Sequence, residues 1–134
     1  MRAIRMGVIR RVGLVGMMAL AVVAAPAWPQ EAGEPVTVTG RVVDLVCLLP
    51  MGLKGEMHRE CASGCDKAGV RMALLDEEAN ILYTVMADAP FKDPNRPIRE
   101  HFERIVTVKG KLYVAPGGQR VLAIEKVTKA PSGG

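Results

Sequence analysis

Alternating apolar and polar positions predict that most of the chain after residue 35 forms β-strands. Between residues 36 and 46 the chain alternates, with Val36, Val38, Gly40 and Val42 on one face, as on a strand with one buried face. Four further apolar runs, bounded by turn-forming residues, predict strands over residues 70–75, 81–86, 105–114 and 119–127. Charged residues separate the second and third strands, and Pro116-Gly117-Gly118 separates the last two. The pattern therefore predicts five strands.

Two segments between the strands are compatible with short helices. Residues 56–68 tolerate a helix that Gly69 can end, and Pro97 can open a second helix over residues 97–104. The order is then strand, inserted segment, two strands, short helix, two strands. This is the wiring of a five-stranded OB-like barrel, an all-β fold with a small helical insertion. A small open sheet or another five-stranded barrel is the alternative.

The first 27 residues differ from the rest of the chain. Residues 1–11 are cationic, residues 12–25 are apolar, and Ala25-Pro26-Ala27 offers small residues for cleavage. We therefore predict a signal peptide over 1–27, a linker over 28–35, the OB-like domain over 36–129 and a flexible tail over 130–134. The alternative is an uncleaved anchor. The expected location of the mature protein is the periplasm or the exterior, without stable membrane insertion.

Net charge argues against nucleic acid as a partner. The formal charge is +4, but four of the 18 Lys and Arg residues and none of the 14 acids lie in the predicted signal peptide. The remainder has equal numbers of cations and anions, whereas binding to phosphate backbones needs a cationic excess. Nucleic acid is therefore not an expected partner. The expected partner is an unidentified protein or a protein that delivers metal.

The chemistry-bearing residues concentrate in the insertion between the first two strands. On a helix, His58, Cys61 and Cys65 would be spaced i, i+3 and i+7 and would share one face. Cys47, predicted to end the first strand, is the other soft ligand that can meet that face. Three thiolates and one imidazole complete a tetrahedral metal site, so these four residues are the predicted ligands. Asp44 either hydrogen-bonds the ligand histidine or only starts the loop.

The same segment carries a motif with a recognisable spacing: Asp44-x-x-Cys47, followed by Gly52-x-x-Gly55-x-x-His58-x-x-Cys61-Ala62-x-x-Cys65. It resembles a group of uncharacterised small exported bacterial proteins with an OB-like barrel. The resemblance covers roughly residues 36–127. It implies export, the barrel fold and a shared Cys/His site, and it implies no particular activity.

Zinc is the favoured ion, because sulfur-rich tetrahedral sites are typical of zinc. Copper is the second choice, since Cu(I) prefers thiolate and thioether ligands and Met51 and Met57 lie in the same loop. The cysteines also allow two other functions. They could form a thiol redox protein in which Cys61 and Cys65 cycle with Cys47, or a disulfide that stabilises an interaction module. The pattern favours binding or a structural role over catalysis.

Overall fold

Five strands close into a barrel in the computed structural model, which describes residues 32–130. The strands are β1 (Glu34–Asp44), β2 (Met72–Asp76), β3 (Ile81–Met86), β4 (Ile105–Val114) and β5 (Arg120–Lys129). Their order around the barrel is β1-β2-β3-β5-β4, and β4 pairs with β1 to close it. The β3–β5 pair is parallel and the other pairs are antiparallel. The predicted OB-like fold is thus confirmed.

Alternation along the strands places one apolar face of each inside the barrel. One fully buried residue from each strand illustrates this core: Val42, Leu74, Val85, Val106 and Leu122. Residues from outside the sheet also contribute to this core. Ala62 comes from the insertion and Ile98 from a 3₁₀ helix over Arg96–His101, the short helix predicted between the third and fourth strands.

The insertion contains more helix than the sequence predicts. The valine pattern predicts a first strand up to residue 46 with Cys47 at its end, but β1 ends at Asp44 and helix α1 (Leu45–Met51) follows. Asp44 has an extended backbone, and its Oδ1 accepts a hydrogen bond from the Cys47 N–H at 2.8 Å, which is how an N-cap starts a helix. Gly52, in the left-handed conformation, ends it. Cys47 therefore lies in the first turn of a helix.

A second helix follows, close to its predicted place. A 3₁₀ turn over Glu56–His58 leads directly into α2 (Arg59–Lys67), which spans the segment expected to be helical over residues 56–68. Within residues 32–130, no helix is both long and apolar enough to cross a membrane. The predicted signal peptide over 1–27, residues 28–31 of the linker and residues 131–134 of the tail lie outside the described residues. β1 includes the last two residues assigned to the linker.

Gly110 lies at a close approach of β4 and β5. The register of the pair shifts between Lys109 and Gly110, and a Cβ atom at Gly110 would overlap the carbonyl oxygen of Ala123. Backbone cannot yield as a flexible side chain can, so a side chain here forces the two strands apart.

We expect Gly110→Ala to lower the free energy of unfolding by at least about 1–3 kcal/mol, the usual cost of overpacking. Gly64→Ala is the control. Gly64 lies in α2 with open space around its Cα, and alanine there is expected to stabilise the helix by roughly 0.5–1 kcal/mol. Denaturant unfolding of both variants tests the difference. Equal stability of the two variants would contradict the close approach at Gly110.

Candidate metal centre

Helix α2 is fixed to the barrel at two points along its length. Ala62 is fully buried in the core, and the buried side chain of Asp66 bonds Asn95 and Arg99, at the start of and within the second 3₁₀ helix. Asp66 accepts hydrogen bonds from Arg99 Nε at 2.6 Å and from Asn95 Nδ2 at 2.9 Å. The Arg99 bonds, although opposed by burial, hold the pKa of Asp66 below its usual value. Cys61 and Cys65 each adjoin one of these two anchored residues, so their positions are set by the barrel.

The three cysteines meet at one place. The sulfur atoms of Cys47, Cys61 and Cys65 all lie within 4.8 Å of one another, and all three are free thiols. Cys47 is buried, Cys65 is half-buried and Cys61 is exposed, so the cluster runs from the interior to the surface. Cys47 comes from α1 and the other two from α2, so two separate elements form the cluster. Three sulfurs at such distances can bind one soft metal ion.

His58 and Asp44 form a second group with Cys47. The His58 Nε2 and the Asp44 Oδ2 are 2.8 Å apart, and ligand atoms of the three residues lie within 4.8 Å of one another. Cys47 belongs to both groups. The structure thus brings the three predicted cysteines together and places the predicted histidine beside one of them, but among the described residues the four do not form a single group.

Asp44 hydrogen-bonds His58, which is one of the two alternatives that the sequence left open, and it also caps helix α1. One carboxylate oxygen caps α1 and the other bonds the His58 ring, and the side chain is almost fully buried, at 1% exposure. Burial by itself raises the pKa of Asp44. The hydrogen bonds from the Cys47 N–H and the His58 ring outweigh burial and hold that pKa below its usual value. Asp44 is therefore an anion that orients the histidine, as carboxylates do beside metal-binding histidines.

Two of the thiols are weak acids in this environment. Burial, followed by the hydrogen bond and the negative charge of Asp44, raises the pKa of Cys47 to about 12. Burial and the charge of Asp44 also raise the pKa of Cys65. Both thiols are therefore protonated at neutral pH, and an ion that binds thiolates must displace their protons. Cys47 and Cys65 therefore lack the lowered pKa that makes a thiol a reactive nucleophile.

Glu103 is a residue that sequence analysis did not single out. It lies two residues before the start of β4, is 1% exposed, and its Oε2 accepts a hydrogen bond from the Gly55 N–H at 2.7 Å. Gly55 precedes the 3₁₀ turn that carries His58. A single glutamate among charged neighbours gives no pattern that would predict burial. No signal in the sequence could have indicated a contact across 48 residues.

Comparison with protein-family models, curated proteins and solved structures finds no match to this chain. The functional interpretation therefore rests on the geometry of these residues. That geometry provides three converging thiols, one carboxylate-bound imidazole and no disulfide among the described cysteines. Such a donor set is compatible with a metal-binding role.

Proposed function

We propose that the protein is an exported metal-binding protein in which Cys47, Cys61 and Cys65 bind one ion. The observation that carries this proposal is the convergence of the three free thiols from α1 and α2 within 4.8 Å. Free thiols from separate elements have no need to converge for packing alone. A shared ion accounts for their convergence, and it also explains why an odd number of cysteines is present.

His58 is the proposed fourth ligand. Its bond to Asp44 fixes the orientation of the ring, which is the usual arrangement of a ligand histidine and its carboxylate partner. The His58 ring lies within 4.8 Å of the Cys47 sulfur but forms no such group with the other two sulfurs, so a four-ligand site requires a movement of the ring or of α2. Zinc is favoured over copper, because three sulfurs and one nitrogen suit tetrahedral Zn²⁺. Met51 and Met57, the residues that suggested copper, are both exposed.

The experiment combines metal analysis with thiol counting on protein purified from the periplasm without chelator. We expect about one ion per chain, and three thiols that react with an alkylating reagent only after a chelator removes the metal. Rapid alkylation that is independent of chelator would instead support the thiol redox protein. One reactive thiol and negligible metal would identify the disulfide-stabilised module.

Export is the second part of the proposal and has its own test. The cationic, apolar and small-residue order of residues 1–27 is typical of a cleaved signal peptide. We expect the exported form to begin near Trp28 and to remain in the supernatant after ultracentrifugation. N-terminal sequencing that finds Met1 on protein in the membrane pellet would contradict this.

A further inference from the structure

Glu103 is held in an unusual backbone conformation by β1. Its φ is +60°, in the left-handed region that residues other than glycine seldom adopt. Its N–H donates to the carbonyl oxygen of Val42 at 2.8 Å, and its own carbonyl oxygen accepts from Arg41 Nη1 at 2.8 Å. Both partners are β1 residues, so the barrel wall fixes the backbone of Glu103 and the direction of its side chain.

The side chain of Glu103 is buried at a cost. Oε2 accepts the Gly55 N–H, but Oε1 is buried and has no hydrogen-bond partner among the described residues. A buried carboxylate oxygen without a partner is unfavourable, and an apolar side chain of similar length would avoid that penalty. Left-handed backbone and an unsatisfied buried oxygen at one residue are features that persist mainly at functional sites.

The Glu103 carboxylate holds the backbone of the insertion at Gly55. Gly55 has a φ of +103° and begins the 3₁₀ turn over Glu56–His58, so the bond from its N–H holds the residue from which that turn starts. His58 stands three residues further on, and its N–H donates to the carbonyl oxygen of Gly55 at 2.9 Å. Two hydrogen bonds therefore link the Glu103 side chain to His58 through the backbone of Gly55.

We infer that Glu103 is a positioning residue for the metal centre, which fixes Gly55 and thereby sets the place of His58 beside Cys47. The inference rests on the proposed metal-binding function. Glu103 itself does not bind the ion. It acts through the backbone of the insertion, in the way that outer residues orient the ligands of metal sites.

Two substitutions separate this role from a purely structural one. Glu103→Gln keeps a side-chain oxygen that can accept the Gly55 N–H, whereas Glu103→Met fills the same space without an acceptor. Glu100→Gln is the control, because Glu100 is exposed and lies on the same segment. Zinc affinity is measured by competition with a chromogenic chelator, and Co²⁺ absorption reports the ligand geometry.

We expect Glu103→Met to fold and to bind zinc about 10–100-fold more weakly, with an altered Co²⁺ spectrum. Glu103→Gln and Glu100→Gln are expected to match the original protein. A Glu103→Met variant that binds zinc with unchanged affinity would overturn the inference. So would a Glu103→Gln variant as weak as Glu103→Met.

Amide hydrogen exchange at Gly55 keeps the inference testable if the methionine variant does not fold. The Gly55 amide should be protected in the original protein and in Glu103→Gln before any metal is added. Fast exchange in either would overturn the inference. Failure of the original protein to bind zinc would count against the proposed function, whereas zinc binding that is insensitive to Glu103→Met would count against the positioning role alone.

Discussion

Replacing any one of Cys47, Cys61 or Cys65 by serine is expected to abolish stoichiometric metal binding. A serine hydroxyl is a poor ligand for the soft ions that thiolates prefer, and two remaining sulfurs cannot replace a cluster of three. Because ion binding is coupled to the order of the site, each variant should also loosen α1 and α2. Metal analysis of the purified variants gives the stoichiometry, and hydrogen exchange reports the loosening.

The barrel should survive these substitutions. Its core takes apolar residues from all five strands, and Cys65 only packs against that core from helix α2. Ser63→Ala, in α2 between the two cysteines, is the control and should keep full metal occupancy. His58→Ala should weaken binding less than the serine variants, because water can fill a fourth position. If Cys47→Ser retained full occupancy while Cys61→Ser and Cys65→Ser lost it, the site would belong to α2 alone.

Removal of the Asp44 carboxylate is expected to have the second largest effect. Asp44→Ala deletes the cap of α1 and leaves the buried His58 ring without its partner. The lost cap and the unpaired ring should together lower the free energy of unfolding by about 2 kcal/mol. Metal affinity should fall roughly 10–100-fold, since the histidine loses its orientation. Denaturant unfolding and chelator competition measure the two effects separately.

Asp44→Asn distinguishes the two roles of this residue. The asparagine oxygen can still cap α1, but its amide nitrogen cannot accept a hydrogen bond from the ring. We therefore expect most of the stability to return while the metal affinity stays low. An asparagine variant that binds metal as tightly as the original protein would show that Asp44 serves only as a helix cap.

The barrel could be predicted because its strands are half-buried. Period-two alternation and strong turn signals identify such strands directly, and residues 81–86 and 105–114 were predicted with the bounds that the structure has. Helix α1 was missed for a physical reason. Its sequence, Leu-Val-Cys-Leu-Leu-Pro-Met, is apolar throughout and continues the preceding strand, so periodicity cannot separate the two. The Asp44 cap at its start and Gly52 at its end set the bounds of the helix.

The candidate site was predictable where its residues are neighbours along a helix. The four-residue spacing of Cys61 and Cys65 places both on one face, and Cys47 meets them as the sequence analysis expected. The contribution of Glu103 could not be predicted. It depends on how the segment before β4 passes the insertion when the barrel closes, and no local pattern encodes that contact. The four-ligand set, with His58 as its fourth member, stays a prediction.

X-ray absorption spectroscopy at the metal edge tests the central claim most directly, because it counts the sulfur atoms bound to the ion in the purified protein. We predict three sulfur ligands at about 2.3 Å and one nitrogen ligand at about 2.0 Å around zinc. An ion bound only by nitrogen and oxygen atoms would contradict the claim that Cys47, Cys61 and Cys65 bind one ion together.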